Sequence, residues 1–199
     1  MNNKKILFFS LFNIKSILDQ GIYPDLLGEF NDNKFDIYIL SPSERGQKII
    51  NKKSTIDNVT IIQVPCLKTQ KTNKLEKLIS TVSLEFLLLR AYNKHFKNIM
   101  FDLVLFPTPT IFVNNLLKGI KLSKNGFKYL LLKDIFPQNA IDLKFLKPNS
   151  FFAKYFEKVE SKLYDNVDFI GCMSEANKSY IINEKSVNKK KIEVNPNSV

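Results

Sequence analysis

Short runs of apolar residues recur along the chain, separated by longer stretches in which apolar residues fall three or four positions apart. The short runs lack polar alternation, so they predict strands buried on both faces of a parallel sheet. The longer stretches predict amphipathic helices. The predicted strands are Lys5 to Ser10, Phe35 to Leu40, Val59 to Val64, Asp102 to Phe106, Tyr129 to Leu132, Asp168 to Met173 and a short last one, Ile192 to Asn195.

Strand and helix alternate from the first run to the last. Alternating units of this kind form a parallel sheet with helices on both faces. We therefore expect an α/β fold with a Rossmann-like, doubly wound parallel sheet, formed by residues 1–199 as a single domain.

Two long helices have a clear predicted buried stripe. The first runs from about Lys74 to Ile99, and the second begins after the predicted N-cap Ser150. The stripe of the first is Leu75, Leu78, Ile79, Val82, Phe86 and Leu89; that of the second is Phe152, Tyr155, Phe156, Val159 and Leu163.

Capping signals predict other boundaries. A helix is expected to begin near Pro24, and Thr108-Pro109 is typical of an N-cap followed by a proline in the first helical turn. That helix is expected to end near Lys121, with Asn125-Gly126 as a turn into the next strand. Ser174 is a further predicted N-cap, followed by Glu175 at the positive helix end.

Three loops rich in polar residues follow predicted strands. They are Ser41 to Gly46, which contains Arg45, then Pro107 to Thr110, then Lys133 to Asn139. Because ligands of open α/β sheets bind beyond the carboxyl ends of the strands, we expect these loops to converge on one binding crevice. Thr108 and Ser174 are explained equally by helix capping, which still leaves free amides for an anion.

Asp134 is the candidate for chemistry in the third loop. A carboxylate in a crevice can act as a general base or accept a hydrogen bond from a sugar hydroxyl. Lys133 beside it can pair with a phosphate, while Gln138 and Asn139 supply amide groups. The structural alternative is that Asp134 pairs with Lys133 or caps a short turn.

The chain is strongly basic, with a net charge of +11, and this favours an anionic partner over a neutral one. Its lysines are scattered, Arg45 and Arg90 are the only arginines, and no recognition-helix, zinc-finger or RNP-type pattern occurs. Sequence-specific nucleic-acid binding is therefore disfavoured, because base reading depends on arginine and dedicated motifs. A lysine-rich but otherwise ordinary globular protein explains the charge equally well.

Several site types are not expected. Cys66 and Cys172 lie far apart, and His95 is the only histidine, so no metal site and no metal cofactor is predicted. There is no GxGxxG, GxxxxGK[ST] or GxSxG pattern. The amino-terminal run is predicted to be a strand and not a signal peptide, and no stretch is long enough to span a bilayer. These observations together predict a protein of a reducing, cytoplasmic compartment.

The segments LLLKDIFPQNAID, DFIGCMSEANKSYI and KIEVNPNSV, with GIYPDLLGEF, SPSERG and DLVLFPTPT, resemble the amino-terminal half of family-4 glycosyltransferases. The nearest subgroup is that of the WbuB-like enzymes of bacterial surface-polysaccharide synthesis. The resemblance extends from about residue 4 to the end. It implies the GT-B architecture, in which an amino-terminal Rossmann-like domain binds the acceptor and a carboxyl-terminal one binds the nucleotide-sugar.

The resemblance also implies roles for particular residues. Asp134 falls where the subgroup has its loop aspartate and would be the catalytic residue, flanked by the acceptor-binding Lys133, Gln138 and Asn139. Thr108, Thr110 and Arg45 are further expected acceptor-side residues. Ser174, Glu175 and Asn197 are expected on the donor side of the interdomain cleft. The donor-binding domain is expected to lie beyond Val199, so this chain alone would be inactive. Retention of anomeric configuration without a metal is implied too.

A lipid-linked acceptor is implied as well, a sugar on a polyprenyl pyrophosphate at the cytoplasmic membrane face. Independently of the resemblance, Lys68, Lys71, Lys74 and Lys77 lie beside the broad apolar helix 75–89. This arrangement suggests an interfacial patch for an anionic membrane, with an ordinary core helix and a solvated lysine edge as the alternative.

Two other classes of function stay open. One is a stand-alone flavodoxin-like binding or regulatory module, and the other is nonspecific nucleic-acid binding through charge alone, with its steep salt dependence. A reading frame that continues past Val199 into another Rossmann-like domain would favour the enzyme, and a stop codon there would favour the module.

Overall fold

The computed structural model describes residues 3–44, 53–56, 58–66 and 74–196. Strands and helices alternate through these residues. The strands are β1 (Lys5–Phe9), β2 (Asp36–Glu44), β3 (Lys53–Ile56), β4 (Val59–Cys66), β5 (Phe101–Pro107), β6 (Leu122–Leu132), β7 (Phe169–Cys172) and β8 (Ile192–Val194). The helices are α1 (Ile22–Asp32), α2 (Lys74–His95), α3 (Asn114–Gly119), α4 (Gln138–Asp142), α5 (Phe151–Asp165) and α6 (Glu175–Asn183).

The strands are hydrogen-bonded in the order β3-β4-β2-β1-β5-β6-β7-β8. The chain winds outward from β1 on one side and then outward from β5 on the other, which confirms the doubly wound α/β fold. The parallel prediction needs one correction, because β3 pairs antiparallel with β4 at the sheet edge. Its sequence, KSTI, is too short and polar to give a buried-strand signal.

The chain divides into two compact units. The first comprises Met1–Val104 with Asn115–Gly126, and the second comprises Leu105–Asn114 with Phe127–Val199. Strands β5 and β6 contribute residues to both units. That residues 1–199 form one domain stays a prediction.

In the first unit, the run KILFF forms β1 as expected, and Ile6 to Phe9 are fully buried. An uninterrupted apolar sequence suits this position, because the side chains on both faces of a central parallel strand are buried. β1 pairs with β2 in parallel register from Lys5↔Asp36 to Phe9↔Leu40.

The predicted loop at Ser41 begins as strand. β2 continues through Glu44, pairing with β4 from Ser41↔Gln63 to Glu44↔Cys66. Pro42 is tolerated there because β1 stops pairing at Leu40, and a proline fits a strand with one free side. The loop prediction was therefore wrong for 41–44.

Helix α2 ends at His95, not near Ile99. Side-chain positions are described from Ser83 onward, and there Leu84, Leu88, Ala91 and Tyr92 are buried. Phe86 is 66% exposed, so its place in the predicted stripe was wrong. The buried residues recur at helical spacing on a neighbouring face, and Tyr92 Oη accepts a hydrogen bond from Lys121 N at 3.0 Å.

Two turn and cap predictions were wrong. Helix α3 begins at Asn114, so Thr108-Pro109 does not open it. Asn125-Gly126 lies within β6 and not in a turn. A Cβ at Gly126 would collide with the Phe101 carbonyl oxygen, so this glycine is explained by a close approach of backbones.

In the second unit, the Ser150 cap is confirmed. Its hydroxyl accepts a hydrogen bond from Ala153 N at 3.2 Å and opens α5. Phe156 and Leu163 are buried as expected, but Phe152 and Tyr155 are about half exposed. Instead, the buried face of α5 includes Ala153, Glu160 and Tyr164.

Within the described residues, the helices lack the combination of length and apolar character that crossing a bilayer requires.

Candidate functional site

In the second unit, β6, β7 and β8 pair in parallel, so their carboxyl ends lie at one edge of the sheet. Thr108 N donates to Leu131 O at 3.0 Å, which brings the end of β5 to the same edge. Thr108 follows β5, Lys133 follows β6, and Ser174 lies two residues beyond β7. All predicted site residues that the structure describes belong to this unit.

The Thr108 hydroxyl joins two of the predicted loops. Its oxygen accepts hydrogen bonds from the backbone N–H groups of Lys133 and Asp134, both at 2.8 Å. The side chain is only 3% exposed. Because a buried N–H must find an acceptor, this hydroxyl fixes the backbone at the end of β6. The capping role predicted for Thr108 is wrong. Its hydroxyl instead joins the loops that follow β5 and β6, and we call these two hydrogen bonds the Thr108 clasp.

Aromatic packing supports the same two loops from α5. The Phe156 ring lies 5.9 Å from that of Phe112 and 5.2 Å from that of Phe136, between ring centroids. Phe112 belongs to the loop after β5, and Phe136 to the loop after β6. The contacts therefore hold both loops against one helix, independently of the Thr108 clasp.

Lys133 and Asp134 differ in their exposure. The Asp134 side chain is exposed, whereas Lys133 is half-buried. Burial lowers the pKa of the Lys133 ammonium from its ordinary value. The pair therefore offers an accessible carboxylate next to a cation that is partly shielded from water, and such a cation binds an anion more strongly than a fully solvated one.

Two polar atoms of these loops are buried and lack hydrogen-bond partners among the described residues. They are Oγ1 of Thr110, on a side chain 3% exposed, and Oδ1 of Asn139. A buried polar atom is costly unless it is hydrogen-bonded. Both therefore have unused hydrogen-bonding capacity, and a ligand could use it only after a local movement that exposes these atoms.

Gln138 is already engaged within α4. Its Nε2 donates to Asp142 Oδ1 at 2.8 Å, one helical turn on. The side chain can meet a ligand only with its remaining atoms.

Ser174 and Glu175 behave as the capping pattern predicted. The Ser174 hydroxyl accepts from Asn177 N at 3.2 Å. The Glu175 carboxylate forms an exposed ion pair with Lys178, at 3.4 Å, in the first turn of α6. The cap at Ser174 is confirmed, and the expected donor-side role of both residues stays a prediction.

Other predicted residues lie outside the described part of the chain. Arg45 and Asn197 are among them, as are Lys68 and Lys71. Lys74 and Lys77 fall in the stretch of α2 whose side chains are not described. Their roles stay predictions.

One cluster at the sheet edge was not foreseen. Tyr129 Oη donates to Glu193 Oε1 at 2.6 Å and accepts from Asn195 Nδ2 at 3.1 Å. Burial, with the hydrogen bond to Glu193, raises the pKa of Tyr129 to about 12. The ring passes over Gly171, where any Cβ would collide with the phenol. A glycine in a buried strand is the sequence signal that could have indicated this close approach.

A buried network on α5 was also missed. Glu160 is 1% exposed, accepts from Tyr164 Oη at 2.8 Å, and pairs with Lys185 at 2.9 Å. Burial raises the pKa of Glu160, and the bonds from Lys185 and Tyr164 oppose that rise. The network ties α5 to Lys185, two residues beyond the end of α6, and its carboxylate is buried, whereas that of Asp134 is exposed.

Within the described part of the chain, His, Cys, Asp and Glu side chains do not assemble in groups of three or more that could hold a metal ion.

No protein-family model and no curated protein matches the sequence. Solved structures match its fold. Sucrose-phosphate synthase from Thermosynechococcus elongatus aligns with a TM-score of 0.65 over 98% of this chain and 48% of that chain, at 13% identity. An α,α-trehalose-phosphate synthase (UDP-forming) from Burkholderia vietnamiensis gives 0.61 over 92% and 43%, at 10% identity. Arabidopsis thaliana UGT89C1, complexed with UDP-L-rhamnose, gives 0.57 over 97% and 48%, at 9% identity.

These similarities concern the fold, because the sequence identities are low. The chain spans about half the length of the solved structures that it matches. Its doubly wound sheet has the architecture of one half of each.

Proposed function

We propose that the chain is the acceptor-binding half of a retaining glycosyltransferase with two Rossmann-like domains. The observation that carries the proposal is the Thr108 clasp, which holds the backbone of Lys133 and Asp134 at the carboxyl edge of a parallel sheet. Open α/β sheets bind their ligands at this edge. The solved structures of similar fold, which include a synthase described as UDP-forming and a protein complexed with UDP-L-rhamnose, support the reaction class.

Asp134 is the catalytic residue in this proposal. Its carboxylate is exposed, so it can reach a sugar hydroxyl and accept its proton or hydrogen bond. The hydrogen bond from Asp134 to the Thr108 hydroxyl comes from the backbone N–H, so the carboxylate oxygens of Asp134 take no part in it. A fixed backbone beneath an accessible carboxylate favours a defined position for the acceptor hydroxyl.

The remaining loop residues bind the acceptor. The half-buried Lys133 ammonium meets the acceptor phosphate, because partial burial strengthens the attraction between a cation and an anion. Thr110 and Asn139 supply the unbonded Oγ1 and Oδ1 atoms for sugar hydroxyls. Gln138 and Arg45 complete the acceptor side.

In this proposal the donor is a nucleotide-sugar, bound by a second Rossmann-like domain. Ser174, Glu175 and Asn197 lie on that side in the proposal. We propose further that the enzyme belongs to family 4, in the WbuB-like subgroup, and that its acceptor is a glycan on a polyprenyl pyrophosphate. The product then belongs to capsule, exopolysaccharide or O-antigen synthesis, on the inner face of the cytoplasmic membrane.

A donor screen tests this function. The complete product of the reading frame is incubated with a set of nucleotide-sugars and a short polyprenyl-pyrophosphate-linked sugar, and glycolipid products are followed by mass spectrometry. One donor is expected to give a product, and proton NMR of that product should show retained anomeric configuration. Failure of every donor, with the acceptor also unable to bind, would remove the proposal.

Asp134→Asn is the first variant to assay. We expect kcat to fall by about 10² to 10⁴-fold, the usual range for losing a general acid or base, with the unfolding midpoint unchanged. Asp165→Asn is the matched control, an exposed carboxylate at the end of α5. Wild-type turnover in Asp134→Asn would assign Asp134 a structural role only.

A further inference from the structure

The region between α4 and the second turn of α5 exposes an unusual amount of apolar side chain. Phe151 is 80% exposed, Phe145 70%, Leu143 64%, Phe152 54% and Tyr155 47%. All lie within residues 143–155, which we call the 143–155 surface. Isolated exposed apolar residues are normal in proteins, but a contiguous group indicates an interaction site.

The exposed side chains fall in two groups close together in sequence, one on the turn after α4 and one on the first turns of α5. The turn that follows α4 is compact, with Phe145 N and Leu146 N both donating to Ala140 O, at 2.9 and 3.0 Å. The rings of Phe151 and Phe152 lie 5.9 Å apart, and Tyr155 is one helical turn from Phe151.

The position of these rings follows from how α5 packs. The helix buries its opposite face through Ala153, Phe156 and Leu163, and the Ser150 cap fixes where the helix starts. Phe151, Phe152 and Tyr155 are left on the outward side. The exposure is therefore set by the register of the helix and is not a fraying end.

Charge on this surface is of one sign. Lys144, Lys147 and Lys154 are exposed between the apolar side chains, and residues 143–156 contain no aspartate or glutamate. Further along α5, Lys158 and Lys162 are exposed, Glu157 is half-buried and Glu160 is buried in its pair with Lys185. The exposed carboxylates Asp142 and Asp165 lie outside the 143–155 surface. Exposed aromatic side chains with exposed lysines between them along the chain match the chemistry of an anionic lipid headgroup region.

We infer that the 143–155 surface binds an anionic phospholipid bilayer. The phenylalanines and Leu143 enter the headgroup boundary, and the lysines meet the lipid phosphates. A second copy of the chain is disfavoured as the occupant, because the same lysines would face one another and the chain carries a net charge of +11. This surface differs from the α2 patch predicted from sequence, and vesicle binding does not depend on the sugar chemistry proposed above.

The experiment is flotation with vesicles of phosphatidylcholine, with and without phosphatidylglycerol, using the complete protein. We expect wild type to float only with phosphatidylglycerol, and less at high salt, because exposed charges are screened. The double variant Phe151→Ser/Phe152→Ser should lose at least tenfold in vesicle affinity. So should Lys144→Gln/Lys147→Gln, which keeps every exposed ring and replaces two exposed lysines, so that a folding defect is a less ready explanation.

Two matched controls come from α2 and the residues after it. Phe86→Ser removes a ring that is 66% exposed, and Lys94→Gln/Lys97→Gln removes two exposed lysines. Both should float like wild type. Loss of binding in Phe86→Ser alone would transfer the function to α2 and overturn the inference. Equal flotation of all variants, or absence of flotation in wild type, would also overturn it. The same holds if wild type is a dimer in solution and Phe151→Ser/Phe152→Ser makes it a monomer.

Transfer to a water-soluble acceptor separates this inference from the proposed function. The 143–155 variants should retain that activity, since none of the changed residues belongs to the acceptor site. Vesicle binding without transferase activity would support the membrane inference and contradict the proposed function. Transferase activity without vesicle binding would contradict the membrane inference and support the proposed function.

Discussion

Ser41 and Thr108 are both buried hydroxyl residues that follow an apolar strand segment, and each accepts hydrogen bonds from a distant backbone. Ser41 Oγ accepts from Ile14 N at 2.6 Å and lies within β2, because the strand continues to pair with β4. Thr108 Oγ1 accepts from Lys133 N and Asp134 N and lies beyond the end of β5. Both hydroxyl oxygens therefore accept hydrogen bonds from backbone N–H groups, but in different parts of the chain.

The difference lies in what each hydroxyl holds. Ser41 holds the backbone of Ile14, a buried apolar residue, and Gln63 Nε2 on the neighbouring strand also donates to Ile14 O at 2.6 Å. Around Thr108 the bonded backbone carries an exposed carboxylate and a half-buried lysine. A buried hydroxyl at a strand end therefore does not by itself mark a site; the residues attached to the backbone it fixes decide that.

The largest effect is expected at Thr108. In Thr108→Val, Asp134 N–H loses its acceptor, which costs about 1 to 3 kcal/mol of folding free energy, while Lys133 N keeps Leu131 O at 3.0 Å. The Asp134 carboxylate also shifts, and a displacement of an ångström can lower turnover by about 10²-fold. Denaturant unfolding and transferase assays measure the two effects.

Thr108→Ser serves as its control, since it keeps the hydroxyl and should keep most of the activity. If Thr108→Val were destabilised but fully active when folded, the clasp would be structural in the same way as Ser41.

Ser41→Ala should lose about as much folding stability as Thr108→Val, without the loss of turnover expected for Thr108→Val. Ile14 N–H loses its acceptor, so the free energy of unfolding should fall by about 1 to 3 kcal/mol. Turnover per folded molecule should not change. The exposed Ser161 on α5 gives the comparison variant Ser161→Ala, expected within about 0.5 kcal/mol of wild type. Reduced turnover in folded Ser41→Ala would show that the two regions are less distinct than proposed.

The smallest effect is expected from pH at Lys133. Burial lowers the pKa of this lysine, so its charge is lost at lower pH than that of an exposed lysine. Only the ammonium attracts an anion, so affinity for a pyrophosphate-bearing acceptor should decline as pH rises through the lowered pKa. Lys133→Arg stays charged, and titration calorimetry across alkaline pH should show a later decline. Identical profiles would exclude Lys133 from phosphate binding.

Local signals predicted the elements well where the cause was local. The apolar run of β1 and the caps at Ser150 and Ser174 depend on residues within a few positions. Thr108 has an equally good local capping signal, but its hydroxyl partners lie 25 and 26 residues away. In the same way, Ser41–Glu44 looks like a loop until β4 pairs with it.

The candidate site shows the same limit. Sequence placed Asp134, Lys133 and Thr108 at strand ends, and the structure joins them. It could not indicate that Thr110 and Asn139 have unbonded buried oxygens, or that Gln138 is engaged by Asp142, because those facts depend on packing. The exposed rings of α5 were missed for a related reason: helical spacing identifies a stripe but does not fix which side turns inward.

The contact between Tyr129 and Gly171 has an evolutionary consequence. The phenol is hydrogen-bonded to Glu193 and Asn195, so moving it aside for a methyl group at position 171 would disturb both bonds. Positions 129 and 171 should therefore change together among descendants of this gene, with any larger residue at 171 accompanied by a smaller one at 129. A selection from a library randomised at these two codons would recover that coupling as an inverse correlation of side-chain volumes.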